Sequence, residues 1–243
     1  MTETAAQYLD LPFEDAIAFF RAKLSITSAA WDELWKEMHS RAFTVAGATS
    51  DALLEDMRSA VEKAVADGTT LAEFRKDFDR IIEQHGWDYV GGRAWRTAII
   101  YDTNLSMAYS AGHYKQRNHP AVLAVRPYLR YLPSSSRKPR TEHQGWYNLV
   151  LRHDDPFWQT HTPPNGWGCK CGVTTVSPRE LERLQEKFAD STTPINTQAP
   201  AAETYEWTNK KTGEIHTIPL GIDPGFDYNP GRAPWGNQAS GAK

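Results

Sequence analysis

Apolar residues recur at three- and four-residue steps through the first half of the chain, a spacing that predicts amphipathic helices. The pattern predicts a first helix over residues 12–24, with Pro12 in its first turn. Ser28 is a suitable N-cap for a second helix. The predicted apolar faces consist of Phe13, Ile17, Phe20 and Leu24 in the first helix, and of Trp31, Leu34, Trp35 and Met38 in the second.

Three further helices are predicted between residues 50 and 116. One runs from Ser50 to Ala66 and stops at Gly68. Thr70 and Glu73 form a capping-box pattern that begins the next, which ends near Gly86. The last is long and follows Gly91-Gly92. Its predicted apolar stripe consists of Trp95, Ile99, Asp102, Leu105, Tyr109 and Gly112.

Asp102 is out of place on that stripe, because a buried carboxylate needs a compensating partner. Arg93, Arg96 or a later loop could supply the partner. We therefore interpret Asp102 as a structural residue, and a catalytic acid is the less favoured alternative.

After Pro120 the pattern changes from helical to mixed. Residues 122–131 predict one extended segment, with Pro127 at an edge or a bend. Ser177-Pro178 and Glu180 predict a capped helix ending near Phe188, and residues 205–218 predict a hairpin across a turn at 209–213. The fold class is therefore α+β and mostly helical. We expect a helical domain over 1–118, a loop-rich α/β part over 119–190, and a hairpin with an irregular tail over 191–243.

Composition fits a globular protein of this size. The 243 residues include 40% hydrophobic and 23% charged residues, with a net charge of −3. The start of the chain lacks the pattern of a signal peptide, and no stretch is long and apolar enough for a membrane span. We expect a cytosolic protein, in which thiols stay reduced. The nine Trp and ten Tyr residues suit an interface as well as a core.

The only two cysteines, Cys169 and Cys171, are one residue apart. Thiols that close rarely form a relaxed disulfide. With His143, His153 and His161 upstream, they supply enough donors for a tetrahedral zinc site. Structural zinc held by Cys169, Cys171, His143 and His161 is one prediction. Two alternatives remain: the cysteines are small buried hydrophobes, or the turn before them serves only to begin a strand.

The residues around the cysteines carry a more specific signal. The run from Asp154 to Cys171 resembles the signature of the Mu F-like head-morphogenesis (minor head) proteins of tailed phages and prophages. Residues 12–20, 93–104 and 223–231 are similar to other parts of that family. One departure concerns the loop before Cys169, where many members place a histidine and this chain has Gly166. That makes His161 the candidate for the fourth zinc ligand.

The resemblance implies a minor capsid protein that acts in head assembly without enzymatic activity. Its expected partners are the portal and other head proteins, and its expected locations are the host cytoplasm during assembly and then the virion head. Some members carry a C-terminal effector domain, which we do not expect here because the chain ends soon after Gly231.

Two other functions use residues of the same region. One is a metal-dependent hydrolase, nuclease or toxin-like effector delivered with phage DNA, in which Asp154 or Asp155 would act as a base beside catalytic zinc. The other is contact with packaged DNA through a stretch without acidic residues. Its basic residues are Arg126, Arg130, Arg137, Lys138 and Arg140.

Overall fold

The computed structural model describes residues 13–34, 36 and 38–232. These residues form an α+β fold in which helices dominate the first half, as predicted. The elements of that half are α1 (Glu14–Arg21), β1 (Leu24–Ser25), α2 (Met38–Arg41), β2 (Ala42–Phe43), α3 (Asp51–Asp67), α4 (Leu71–His85) and α5 (Arg93–Arg117).

The predicted caps of α3 and α4 are confirmed. Ser50 accepts a hydrogen bond from the backbone N–H of Leu53, and α3 ends at Gly68. Thr70 and Glu73 form both bonds of the capping box. The helices pack together in a first core that consists mainly of Phe19, Phe20, Leu54, Met57, Val61, Phe74 and Phe78. One face of α3 and one face of α4 therefore point inward.

The predicted helix after Ser28 is wrong. Residues 28–34 form turns and bends, and only the four-residue α2 follows. The Ser28 hydroxyl lies 2.8 Å from the Thr44 hydroxyl, and Trp31 packs against Trp167 and Trp207. These distant contacts outweigh the local pattern. The first helix is also shorter than predicted, since Leu24 lies exposed in β1. Pro12 and Trp35 lie outside the described residues.

The buried face of α5 differs from the predicted stripe. Trp95 is 55% exposed, and the Asp102 carboxylate is partly exposed. The helix lies between two cores, because Ile100 and Ala108 contact the first and Met107 contacts the second. A helix with neighbours on two sides has two buried faces, which a single apolar stripe does not represent.

The second half is built on a three-stranded antiparallel sheet and a hairpin. Its elements are α6 (Pro120–Val125), β3 (Tyr128–Leu132), α7 (Thr141–Gln144), β4 (Val150–Arg152), α8 (Phe157–Thr160), β5 (Gly172–Val176), α9 (Pro178–Lys187), β6 (Thr204–Thr208) and β7 (Ile215–Pro219). In the sheet, β3 lies between β4 and β5. Leu129 of β3 pairs with Leu151 of β4 on one side and with Thr175 of β5 on the other. The central strand β3 therefore holds β4 and β5, which are distant in sequence, in one sheet.

The prediction of one extended segment over 122–131 is half correct. Residues 128–132 form β3, but Pro120–Val125 form a helix that His119 caps by accepting from the N–H of Ala121. The capped helix after Ser177 and the hairpin are confirmed.

Residues 220–232, the C-terminal strap, have no regular structure but are largely buried. Ile222, Phe226 and Tyr228 of the strap join Leu129, Tyr131, Trp146 and Ile218 in the second core. The aromatic tail therefore packs across its own chain as far as it is described. No helix in the described part of the chain is long and apolar enough to cross a bilayer.

Candidate metal centre

Three of the four predicted zinc ligands lie together. The donor atoms of His143, Cys169 and Cys171 are all within 4.8 Å of one another. His143 Nδ1 lies 3.8 Å from the Cys169 sulphur and 3.6 Å from the Cys171 sulphur. Tetrahedral zinc with bonds of about 2.3 Å to sulphur and 2.0 Å to nitrogen requires an N to S separation of about 3.6 Å. The cluster therefore fits a zinc ion.

His143 is held with the correct nitrogen toward the sulphurs. Its Nε2 lies 2.8 Å from the carbonyl oxygen of Gly221. A carbonyl only accepts, so the proton is on Nε2 and the lone pair of Nδ1 faces the cysteines. A ligand histidine whose other nitrogen donates to a carbonyl is typical of metal sites. The imidazole is buried and stacks on Trp146, with a ring separation of 4.9 Å.

The two thiols shift each other's pKa in opposite directions. A hydrogen bond from Cys171 holds the pKa of the Cys169 thiol well below its usual value. The same bond, together with burial, raises the pKa of Cys171. Of the two sulphurs, that of Cys169 is therefore the better metal ligand. A cation bound between the sulphurs would displace the proton of the Cys171 thiol.

Asn165 and Tyr131 support the loop that carries the cysteines. Asn165 is fully buried, and its amide donates to the Tyr131 hydroxyl at 3.0 Å and to the His161 carbonyl at 3.3 Å. Burial, and then the nearby Cys171, raise the pKa of Tyr131, so this phenol stays neutral. Asn165 Oδ1 is buried without a hydrogen-bond partner among the described residues, which leaves a spare acceptor beside the cysteine loop.

Asp223 fastens the same loop to the C-terminal strap. Its carboxylate accepts from Arg140 at 2.7 Å and from the N–H of Trp167 at 2.9 Å. A side chain at Gly166 would collide with this ion pair. The space beside Gly166 is therefore filled by an arginine and an aspartate from elsewhere in the chain.

His161 is close to the cluster but is not one of its three members. Its Nδ1 bonds to the Thr160 hydroxyl at 2.8 Å, and its ring stacks on Phe157 at 4.1 Å and meets Trp146 edge-on at 4.9 Å. Burial lowers the pKa of His161 to about 4. The imidazole is therefore neutral at pH 7, as a ligand must be.

The candidate catalytic residues have local structural contacts. Asp154 pairs with Arg152 at 3.1 Å, and Asp155 accepts from the N–H of Phe157 at the start of α8. His153 is partly buried. None of these three side chains belongs to the cluster of donors.

Three of the five basic residues bind other parts of the chain. Arg126 pairs with Glu180 at 2.7 Å, Arg130 binds Asn148 at 2.6 Å, and Arg140 pairs with Asp223. Arg137 and Lys138 are exposed. Most of the basic stretch therefore forms ion pairs and hydrogen bonds within the chain.

Sequence reasoning missed the groups that orient the ligands, namely Trp146, Gly221 and Asp223. The family resemblance of residues 223–231 was a sequence signal for Asp223 alone. Periodicity could not reveal Gly221 and Asp223, because their partners His143 and Arg140 lie far away along the chain.

Comparison with known proteins finds a family match that includes the donor cluster. The family described as "Phage Mu protein F like protein" matches residues 55–174. The chain is 35% identical over 250 residues to the protein assigned as capsid assembly protein F of Escherichia phage Mu, covering 93% of this chain and 56% of that protein. It is 31% identical over 230 residues to the Mu-like prophage FluMu F protein of Haemophilus influenzae, covering 86% and 54%.

The chain thus spans about half the length of these curated relatives. No solved structure matches it.

Proposed function

Because the chain belongs to the family of proteins like phage Mu protein F, we propose that it acts in head morphogenesis of a tailed phage or prophage. Its role is that of a minor capsid protein that contacts the portal and the head shell. The observation that carries this proposal is the 35% identity, over 93% of this chain, to a protein assigned to capsid assembly. The two packed cores and the internally bonded acids and arginines support a structural role, not turnover.

The test is incorporation into heads. A tagged chain is expressed in the phage or lysogen that encodes it, and heads and free protein are separated on a density gradient. We expect the tag in the head fraction at a low copy number, and cross-links to the portal. Absence from heads, with normal heads forming when the gene is deleted, would contradict the proposal.

Within this role, a structural zinc ion is held by His143, Cys169 and Cys171, with His161 the candidate for the fourth ligand. The N to S separations and the imidazole orientation fixed by the Gly221 carbonyl support it. The ion would supply cross-linking, since the cysteine loop and the helix α7 that carries His143 come from separate parts of the chain. Binding free energy at such a site adds to the free energy of unfolding.

We expect one zinc per chain in protein purified without chelators, as measured by elemental analysis. Cys171→Ser should lose most of the metal and lower the melting temperature. His153→Ala is the matched control, because His153 lies in the same region outside the cluster, and it should keep its zinc. Protein that is free of metal from the start, with a Cys171→Ser melting temperature equal to wild type, would contradict the site. His161→Ala then decides whether His161 is a ligand.

The enzyme and DNA alternatives are tested with the same variants. A well-folded Asp155→Asn or His153→Ala protein that enters heads but abolishes infection or a measurable hydrolysis would favour an enzyme. Contact with DNA would rest on the two exposed residues, so Arg137→Ala with Lys138→Ala should weaken binding and its salt dependence if DNA is a partner.

A further inference from the structure

A cavity of about 430 Å³ opens between the first core and the C-terminal strap, and none of the three donor residues lines it. We call it the tryptophan cavity, because Trp31, Trp95 and Trp167 line it. One wall is a face of α5 that includes Ile99, Ile100 and Met107, and Phe226 of the strap closes the opposite side. The volume is in the range of ligand pockets.

Two buried cations line this apolar cavity. Lys23 is 5% exposed and Arg96 is 9% exposed. No Asp or Glu is among the described residues that line the cavity, and neither cation forms an ion pair with a described residue. Lys23 donates only to the carbonyl of His39, at 2.7 Å. Burial lowers the pKa of Lys23 to about 7, as expected for an ammonium group without a carboxylate.

Two polar atoms of the same wall have no partner. Arg96 Nε and Thr103 Oγ1 are buried and lack a hydrogen bond within the described part of the chain. The two residues are seven positions apart on α5, which places them on one face of the helix. Buried donors of this kind are normally satisfied. The guanidinium is otherwise held by the Ala46 carbonyl and lies over the Trp87 ring, so Nε has a fixed direction.

The geometry points to a binding site for a segment of a partner protein that presents a carboxylate beside an aromatic or large aliphatic side chain. The carboxylate would lie between Lys23 and Arg96, where its charge is complemented and Thr103 can donate to it. The apolar side chain would fill the space between Ile99 and Phe226.

The tryptophans argue for a protein segment and not a small molecule. Trp31, Trp95 and Trp167 are each at least 36% exposed, so they form an aromatic rim around a buried charged interior. Tryptophan and arginine are the residues most enriched at binding hot spots. That the partner is another head protein rests on the proposed function, whereas the chemistry of the site does not.

The test uses capped peptides of known composition as probes. Acetyl-Leu-Glu-Phe-amide and its glutamine counterpart differ only in charge, and binding is followed by the indole N–H resonances of ¹⁵N-labelled protein. We expect the Trp31, Trp95 and Trp167 signals to shift, and the glutamate peptide to bind at least tenfold more tightly. Equal binding of both peptides, or no shift at millimolar concentration, would overturn the proposal.

Variants locate the charge that makes this distinction. Lys23→Met should reduce the preference for glutamate to within twofold, while Lys63→Met, an exposed lysine on α3, should leave it unchanged. If Lys23→Met does not fold, Thr103→Val serves, with an expected weakening of severalfold for the glutamate peptide alone. A preference that survives both changes places the carboxylate elsewhere and refutes the site.

Further results distinguish a small-molecule ligand from a protein segment. They also distinguish failure of the cavity proposal from failure of the proposed function. If 3-phenylpropionate binds more tightly than the glutamate peptide, a small carboxylate is the ligand and the protein segment is wrong. If the cavity variants bind no peptide yet enter heads normally, the cavity is not an assembly site, although head morphogenesis stands. Peptide binding by a chain that never enters heads leaves the site in place and removes the proposed function.

Discussion

The Gly221 carbonyl is the group that orients His143, and only glycine suits this position. Its φ is +88°, and an added Cβ would lie 2.6 Å from the Glu142 Cβ and 3.0 Å from the Trp146 ring. A residue without any metal-binding atom therefore determines which imidazole nitrogen faces the cysteines.

Gly221→Ala should lower the free energy of unfolding by about 1–2 kcal/mol through the positive φ, and by a further ~1–3 kcal/mol through overpacking. Denaturant unfolding measures this loss. Gly213→Ala is the matched control, because Gly213 has a φ of +78° and nothing within 4 Å of an added Cβ. It should show the first loss alone. Equal losses in both variants would mean that the contact with Trp146 relaxes freely.

Asp102 forms an ion pair that is partly exposed to solvent. Its partner is Lys170, in the later loop between the two cysteines, at 2.9 Å, and the side chains are 31% and 37% exposed. The prediction of a structural partner in a later loop therefore agrees with this contact, but the carboxylate is not deeply buried.

Asp102→Asn should cost less than about 1 kcal/mol of unfolding free energy, because exposed ion pairs contribute little. A double-mutant cycle with Lys170→Met, read by urea unfolding, should give a small coupling. A loss of several kcal/mol would show that the pair is shielded from solvent.

At the scale of elements, α9 depends on its cap more than α3 or α4 does. None of its residues is buried, so packing contributes little to it. Ser177 accepts from the N–H of Glu180, and Glu180 accepts from the N–H of Ser177 at 2.9 Å. Ser177→Ala should destabilise α9 by ~1 kcal/mol, which hydrogen exchange of its amides can measure. Exchange that stays unchanged would contradict this.

The same cap should weaken in acid. The Ser177 N–H, with Arg126 in support, lowers the pKa of Glu180 from its ordinary value of 4.5. A carboxyl whose pKa is lowered on folding contributes stability above 4.5, and loses it as the pH falls through the lower folded value. Amide exchange in α9, corrected for its intrinsic pH dependence, should therefore accelerate as the pH falls below 4.5. Glu180→Gln should remove that change.

Elements with clear local signals could be predicted from the sequence: α3, α4 and α9 carry capping residues or a glycine stop, and the hairpin has a turn between two strand-like runs. The conformation of residues 28–34 could not be predicted, because Trp31 packs against Trp167 and Trp207 from distant parts of the chain. Likewise, the two thiols predicted a donor pair, but the bond from Gly221 and the collision at Gly166 exist only in three dimensions.

At the scale of the whole molecule, two cores meet along α5, and the C-terminal strap joins the second. The loop over 191–203 is mostly exposed, yet the hairpin and strap that follow it bury Ile218, Ile222 and Phe226. The loop itself is exposed to solvent, whereas the hairpin and the strap after it contribute side chains to the second core.

Limited proteolysis should reveal this arrangement. Elastase should cut first near Ala201 and Ala202, since local exposure governs early cleavage. The two fragments should remain together on size exclusion, because the buried strap holds them. Early cuts within α3, or fragments that separate without denaturant, would contradict it.

The position of Lys170 has a further consequence for metal capture. It stands between the two cysteines and is tied to α5 through Asp102, so the loop is preorganised before any ion arrives. An ion entering such a loop loses less affinity to the ordering of the chain. If zinc binds as proposed, the helical half would contribute to its affinity without providing a ligand, and Asp102→Asn should weaken zinc binding while leaving the donor set intact.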